Sequence, residues 1–174
     1  MTEIGSQASS SMHAQPQPYD SRKDTEDHIF RVGDLIMQIH SELWRRALHH
    51  DETKLESPEK ETFDSVTPKL KELTYGSDEY TEQLKDMKVA LDHHYAAYRH
   101  HPEHFENGIQ EMNLIDVMEM LADWKAATER MDNGNLTTSI YLNAERFGYG
   151  STMLVLLLNT ARDMGWLDKG MKLS

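Results

Sequence analysis

Histidine and carboxylate residues cluster in this chain at spacings that suit a metal ion. A single histidine, His28, precedes the adjacent pair His50-Asp51 by 22 residues, and Lys54 follows close behind the pair. Nine of the ten histidines lie between His28 and His104, and five of these fall within the twelve residues His93 to His104. Imidazole and carboxylate suit Mn, Fe, Co, Ni or Zn, and donor type alone does not choose among them. The chain has no cysteine, which excludes disulfides, thiolate zinc sites and cysteine nucleophiles. Any divalent transition metal here therefore sits among nitrogen and oxygen donors.

Helices must position these residues. From Asp24 onward, His28 shares a stripe with Val32, Leu35 and Ile39, which predicts a first core helix with the His28 imidazole facing inward. Gly33, inside that helix, reads as a close packing contact. A second helix from near Ser41 carries Leu43, Ala47 and Leu48 into His50 and Asp51, so two imidazoles and a carboxylate meet at one end of a buried seam. A later helix, capped by Asn113 and running to about Met131, presents Asp116, Glu119 and Asp123 on one face among apolar residues. That face is either a cation-binding wall or a solvated acidic stripe. Asp123 is the expected ligand, and Asp116 and Glu119 stay open between the two readings.

The rest of the chain is also helical in pattern. Ser57-Pro58, Thr67-Pro68 and Tyr75-Gly76-Ser77 break residues 52–78 into short pieces, with Ser57 as a cap and Pro58 as a first helical residue. Residues 78–98 form one helix, with Tyr80, Leu84, Met87, Leu91, His94 and Tyr98 in a stripe that turns His94 inward. Helices over 136–146 and 151–164 follow the Asn133-Gly134 stop. No alternating strand pattern is present, so the expected fold is all-α: one helical bundle domain over residues 23–174 behind a flexible N-terminal tail, residues 1–22.

The formal charge of -12, from 30 acidic and 18 basic residues, argues against long nucleic acid as a partner. A small phosphorylated molecule remains compatible, because a metal and a few cations reverse the field inside one cleft. No run reaches the length of a membrane span and the first residues lack a secretory pattern, so the expected setting is cytoplasmic. Gly-rich phosphate loops and nucleophile-turn sequences are absent as well.

The run His28-x-x-Arg31-Val32, followed by Ala47-Leu48-x-His50-Asp51-x-x-Lys54 and later Ala122-Asp123, resembles the HD-domain superfamily of metal-dependent phosphohydrolases over roughly residues 25–130. The Tyr95–Phe105 segment and the run Met118-Glu119-Met120-x-x-Asp123-Trp124 are similar to a family of uncharacterised small bacterial and phage proteins within or near that superfamily. The resemblance implies an all-α fold and one metal held by His28, His50, Asp51 and Asp123. Where members bind two metals, two further histidines join the set, and His94 and His101 lie in the matching interval. One departure stands out: Glu52-Thr53-Lys54 matches neither of the usual continuations after His-Asp.

His93, His100 and His104 are expected to be exposed or to stand behind the ligands, and His49 to point away. Arg31, Lys54 and Arg99 flank the ligands and are the candidate phosphate-binding cations, or else partners for the many acidic residues. Asp51, Lys54 and Glu119 are the expected catalytic side chains. The leading expectation is hydrolysis of a nucleotide or other small phosphate ester by a metal-activated water. Oxygen activation at two irons and a structural metal clamp are the alternatives. Self-association of the Met-rich domain is also expected.

Overall fold

Seven α-helices and three short 3-10 helices account for the secondary structure of the described residues in this computed structural model, with no strand among them. The expected all-α class is therefore found. The structure describes residues 19–74 and 76–167, apart from the side chains at 71 and 84. The expected tail lies outside the described residues up to residue 18. Contacts along the chain define two units, residues 1–38 and 39–174. No helix among the described residues is long and apolar enough to cross a membrane.

Helix α1 spans Arg22–Leu48. Asp24 in its first turn and Arg45 and Arg46 in its last complement the helix dipole. Lys23 and Asp27 add an (i, i+4) ion pair at 2.6 Å. The break expected near Ser41 is absent. No Gly or Pro lies between Gly33 and Ser57, and a lone serine lowers helix propensity only mildly, so the helix runs on. The stripe expected to face a core is exposed in the first unit, with Val32 at 38% and Leu35 at 43%. Gly33 makes no close packing contact among the described residues: none of their atoms lies within 4 Å of the point where a Cβ would stand.

The second unit is built from α2 (Glu59–Lys71), α3 (Asp78–Lys85), α4 (Lys88–Ala97), α5 (Leu114–Glu129), α6 (Leu136–Phe147) and α7 (Ser151–Asp163). Its main core joins α5, α6 and α7 through Val117, Met120, Leu121, Leu136, Ile140, Leu157 and Leu158. Each such side chain contributes about 1.5–3 kcal/mol by leaving water. Asn113 caps α5 in a capping box with Asp116, as its position predicts, and Asn135 caps α6 through the Thr138 N–H. The turn before α6 requires Gly134, because a Cβ there would stand 1.9 Å from the Thr128 carbonyl oxygen.

Helix α2 continues through Pro68 instead of stopping, with Val66 buried in its interior and α2 packed on α4. Packing thus outweighs the roughly 3 kcal/mol cost of an interior proline. The single helix expected over 78–98 is two, because the chain leaves helical order around Asp86 and Met87 before α4 begins. Met87 is 2% exposed there, so burial of its side chain compensates for the broken turn.

Candidate metal centre

Helix α1 ends at Leu48, so His50 and Asp51 lie in the turn behind it and not on the helix itself. Asp51 adopts the left-handed conformation, φ 59° and ψ 17°, and leads into a 3-10 turn, Glu52–Leu55. Aspartate visits this region more readily than most residues, at a cost of about 1–3 kcal/mol. The Lys54 ammonium donates to Asp51 Oδ2 at 2.6 Å. The Thr53 N–H donates to the Tyr98 hydroxyl at 2.9 Å and ties the turn to the end of α4.

Around Asp51 two sets of ligand atoms converge. Asp51, His94, His100 and His101 form one, and His50, Asp51 and Asp123 form the other, with the atoms of each set within 4.8 Å of one another. His94 Nε2 stands 3.1 Å from Asp51 Oδ1 and 3.0 Å from His101 Nε2. His50 Nε2 stands 3.6 Å from Asp51 Oδ2 and 3.5 Å from Asp123 Oδ1. Ligands about 2.0–2.2 Å from an ion and a right angle apart are separated by about 3 Å, so these distances match the edges of a coordination shell. Asp51 belongs to both sets, with Oδ1 toward His94 and His100 and Oδ2 toward His50 and Lys54. A third set, His50, His100 and Glu119, overlaps both.

The rings are held so that ligating nitrogens face inward. His94 Nδ1 donates to Glu59 Oε2 at 3.0 Å, and His50 Nδ1 to Glu119 Oε1 at 3.0 Å. A carboxylate behind one ring nitrogen fixes the tautomer and leaves Nε2 for an ion. Glu59 is fully buried and also receives His93 Nδ1 at 2.7 Å. Arg46 in turn holds Glu119, with Nη1 3.4 Å from Oε2 and 2.6 Å from Asp116 Oδ1. Glu119 therefore orients His50 from behind, and Glu59 and Arg46 belong to the same supporting layer.

The fit to a cation is tested by atoms that protein alone leaves unsatisfied. Asp51 Oδ1, His100 Nδ1 and His100 Nε2 are buried without a hydrogen-bond partner. His100 Nδ1 does lie 3.2 Å from Glu119 Oε1, as an ion pair without hydrogen-bond alignment. A buried polar atom left unpaired costs about 1–3 kcal/mol, and a cation would satisfy Asp51 Oδ1 and one His100 nitrogen together.

The carboxylates set a field that favours a cation, and a metal ion would have to displace the extra proton that this field holds on His50. Asp123 and Glu119 lift His50 to about 10 against the opposing effect of burial. Burial and the neighbouring His100 and His94 push His101 down to about 3, which keeps it neutral and ready to ligate. Burial would raise Asp51, Glu119 and Asp123, yet nearby imidazoles, and Lys54 for Asp51, hold all three below the ordinary carboxylate range.

His28 and Arg31 are exposed residues of the first unit, and none of the three sets includes His28. His100, expected to be exposed or behind the ligands, is 1% exposed and belongs to two sets. Its position in the turn after Tyr98, where helical period gives no direction, left no sequence signal beyond its neighbours. Arg99 grips Asp116 with two bonds, Nε–Oδ1 at 3.1 Å and Nη2–Oδ2 at 3.0 Å, and Lys54 is bound to Asp51. Asp116 itself caps α5 and pairs with arginines, so it stands outside the ligand sets. His49 is exposed and bonds Glu52, and His104 donates to the Tyr95 carbonyl. Trp124 packs on the core and lies parallel to Phe147.

A cleft of about 750 Å³ opens beside these ligands, with His50, Glu119 and Asp123 in its wall. Leu43, Trp44, Met118, Met164 and Trp166 belong to its apolar lining. No curated protein and no solved structure matches the chain. DUF5662, a family of unknown function, matches residues 17–164, most of the sequence, and the chain belongs to that family.

Proposed function

We propose that the protein is a metal-dependent phosphohydrolase of the HD type, acting on a small phosphate ester through a water activated at a centre of one or two divalent ions. The observation that carries this reading is the Asp51 carboxylate, shared by two converging ligand sets and with a buried oxygen that makes no hydrogen bond. His50, Asp51 and Asp123 would hold one ion, and Asp51, His94, His100 and His101 the other. Bound there, divalent ions supply a lowered water pKa and positive charge for phosphoryl oxygens.

The chain's own residues account for the remainder. Glu119 and Glu59 keep His50 and His94 in orientation. Lys54 fixes Asp51 by its Oδ2 and stays partly accessible, so its ammonium is the nearest protein cation for a phosphate oxygen. Asp123 and Glu119 border the cleft, where a carboxylate can hold a water or accept its proton. Arg31, on the first unit, and Arg99, committed to Asp116, gain no support as phosphate ligands from this arrangement.

Demetallated protein reloaded with Mn, Co, Fe or Zn should release phosphate from members of a phosphomonoester and nucleotide panel, and Asp51→Ala should abolish release while the fold persists. Absence of phosphate release with all four metals would refute hydrolysis. One observation favours a second reading, oxygen activation at two irons: the shared carboxylate is flanked by four imidazoles, a donor set that also suits iron. Iron-loaded protein showing a mixed-valence paramagnetic signal and substrate-dependent oxygen uptake would select that chemistry instead. A cytoplasmic setting and self-association of the chain belong to the same proposal.

A further inference from the structure

The cleft beside the ligands has an unusual balance of surfaces for a phosphate site. Trp44 and Leu43 come from the last turns of α1, Met118 and Ala126 from α5, and Met164 and Trp166 from the end of α7. Its polar lining is His40, His50, Glu119 and Asp123, and among the described residues no Lys or Arg lines it. The nearby cations are already engaged: Arg46 with Glu42, Asp116 and Glu119, Arg99 with Asp116, and Lys54 with Asp51. Lys54 stands at Asp51 and not in the cleft lining, so among the described residues the cleft wall offers no Lys or Arg charge to a second or third phosphate, while Glu119 and Asp123 would repel one. An uncharged flat or branched group, by contrast, would gain from Trp44, Trp166 and Met118.

Resting on the phosphohydrolase reading, we propose that the substrate is a monoester with one phosphoryl group at the ions and an uncharged apolar or aromatic group in the cleft, and that polyphosphates are rejected. The wall of Trp44, Met118 and Trp166 sets this specificity. Trp44 is 61% exposed, so its truncation should leave the fold in place.

Calorimetric titration of the zinc- or manganese-loaded full chain tests this with three non-hydrolysable probes: methylphosphonate, 1-naphthylphosphonate and methylenediphosphonate. The naphthyl compound should bind at least about tenfold more tightly than methylphosphonate, because the aromatic group leaves water. The diphosphonate should bind no more tightly than methylphosphonate. Trp44→Ala, which removes the wall, and Ala126→Trp, which fills the cleft, should each narrow the naphthyl preference. Equal binding of the two monophosphonates, or tightest binding of the diphosphonate, overturns the inference and leaves the phosphohydrolase reading standing. If neither monophosphonate binds the loaded protein, the phosphoryl reading fails and the inference fails with it.

Discussion

Asp51 concentrates the chemistry of this molecule in one side chain. Its two oxygens face different ligand sets, and its left-handed backbone turns the chain off the end of α1 toward α4. Removing a ligand of only one set should therefore remove only one ion. Asp123→Ala is expected to lower the metal content of reloaded protein by about one ion per chain, and His101→Ala to empty the other position, as read by elemental analysis. Glu59→Gln tests the supporting layer. With the buried charge behind His94 gone, metal affinity measured by chelator competition should fall about 10–100-fold with the fold retained. An unchanged affinity would remove Glu59 from the account. At this scale the type and spacing of residues made His50, Asp51, His94 and Asp123 legible, whereas His101 came only from the family resemblance. The sequence did not reveal His100 or Glu59, since both sit in or beside turns, where no period states which way a side chain points.

At the scale of elements, α5 anchors the centre through its first turn. Asn113 caps the helix, and the buried Asp116 joins that cap to Arg46 and Arg99, so the arginine that steadies Glu119 is itself steadied by the helix start. Burial would raise Asp116, but Arg99, Arg46 and the Asn113 N–H outweigh it and hold the carboxyl below its ordinary value. A carboxyl depressed in the folded state contributes stability that is full above its unfolded pKa of about 3.9 and is lost as pH falls through the folded value. Urea unfolding should accordingly show stability declining below about pH 4, and Asp116→Asn should flatten part of that acid limb. The same variant should be less stable near pH 7 by about 1–3 kcal/mol, because a neutral amide cannot replace the charge-assisted bonds that the buried carboxylate accepts from Arg46 and Arg99. Helices α5 to α7 could be read from the sequence because Asn caps and glycine stops agree there with the apolar period. The course of α1, the passage of α2 through Pro68 and the division between α3 and α4 could not, since packing of distant residues decided the latter two and no local stop marks the first.

For the whole molecule, the chain carries a formal charge of -12, and three of its carboxylates are gathered around one partly buried centre. A cation there relieves mutual repulsion and satisfies orphaned atoms, so binding should favour the folded state over the unfolded one. With metal at about 100 times its dissociation constant, linkage adds about 2.7 kcal/mol, which for a chain of this length raises the melting temperature by about 5–10 °C. Differential scanning fluorimetry with and without a chelator would read this rise, and Asp51→Ala should abolish it. The most direct test of the account is the metal content of the natively purified chain, determined by elemental analysis and repeated after demetallation and reloading. The account predicts about one to two equivalents of a single transition metal per chain, restored on reloading and lost in Asp51→Ala. Protein that is metal-free as isolated and takes up no Mn, Fe, Co, Ni or Zn would contradict it.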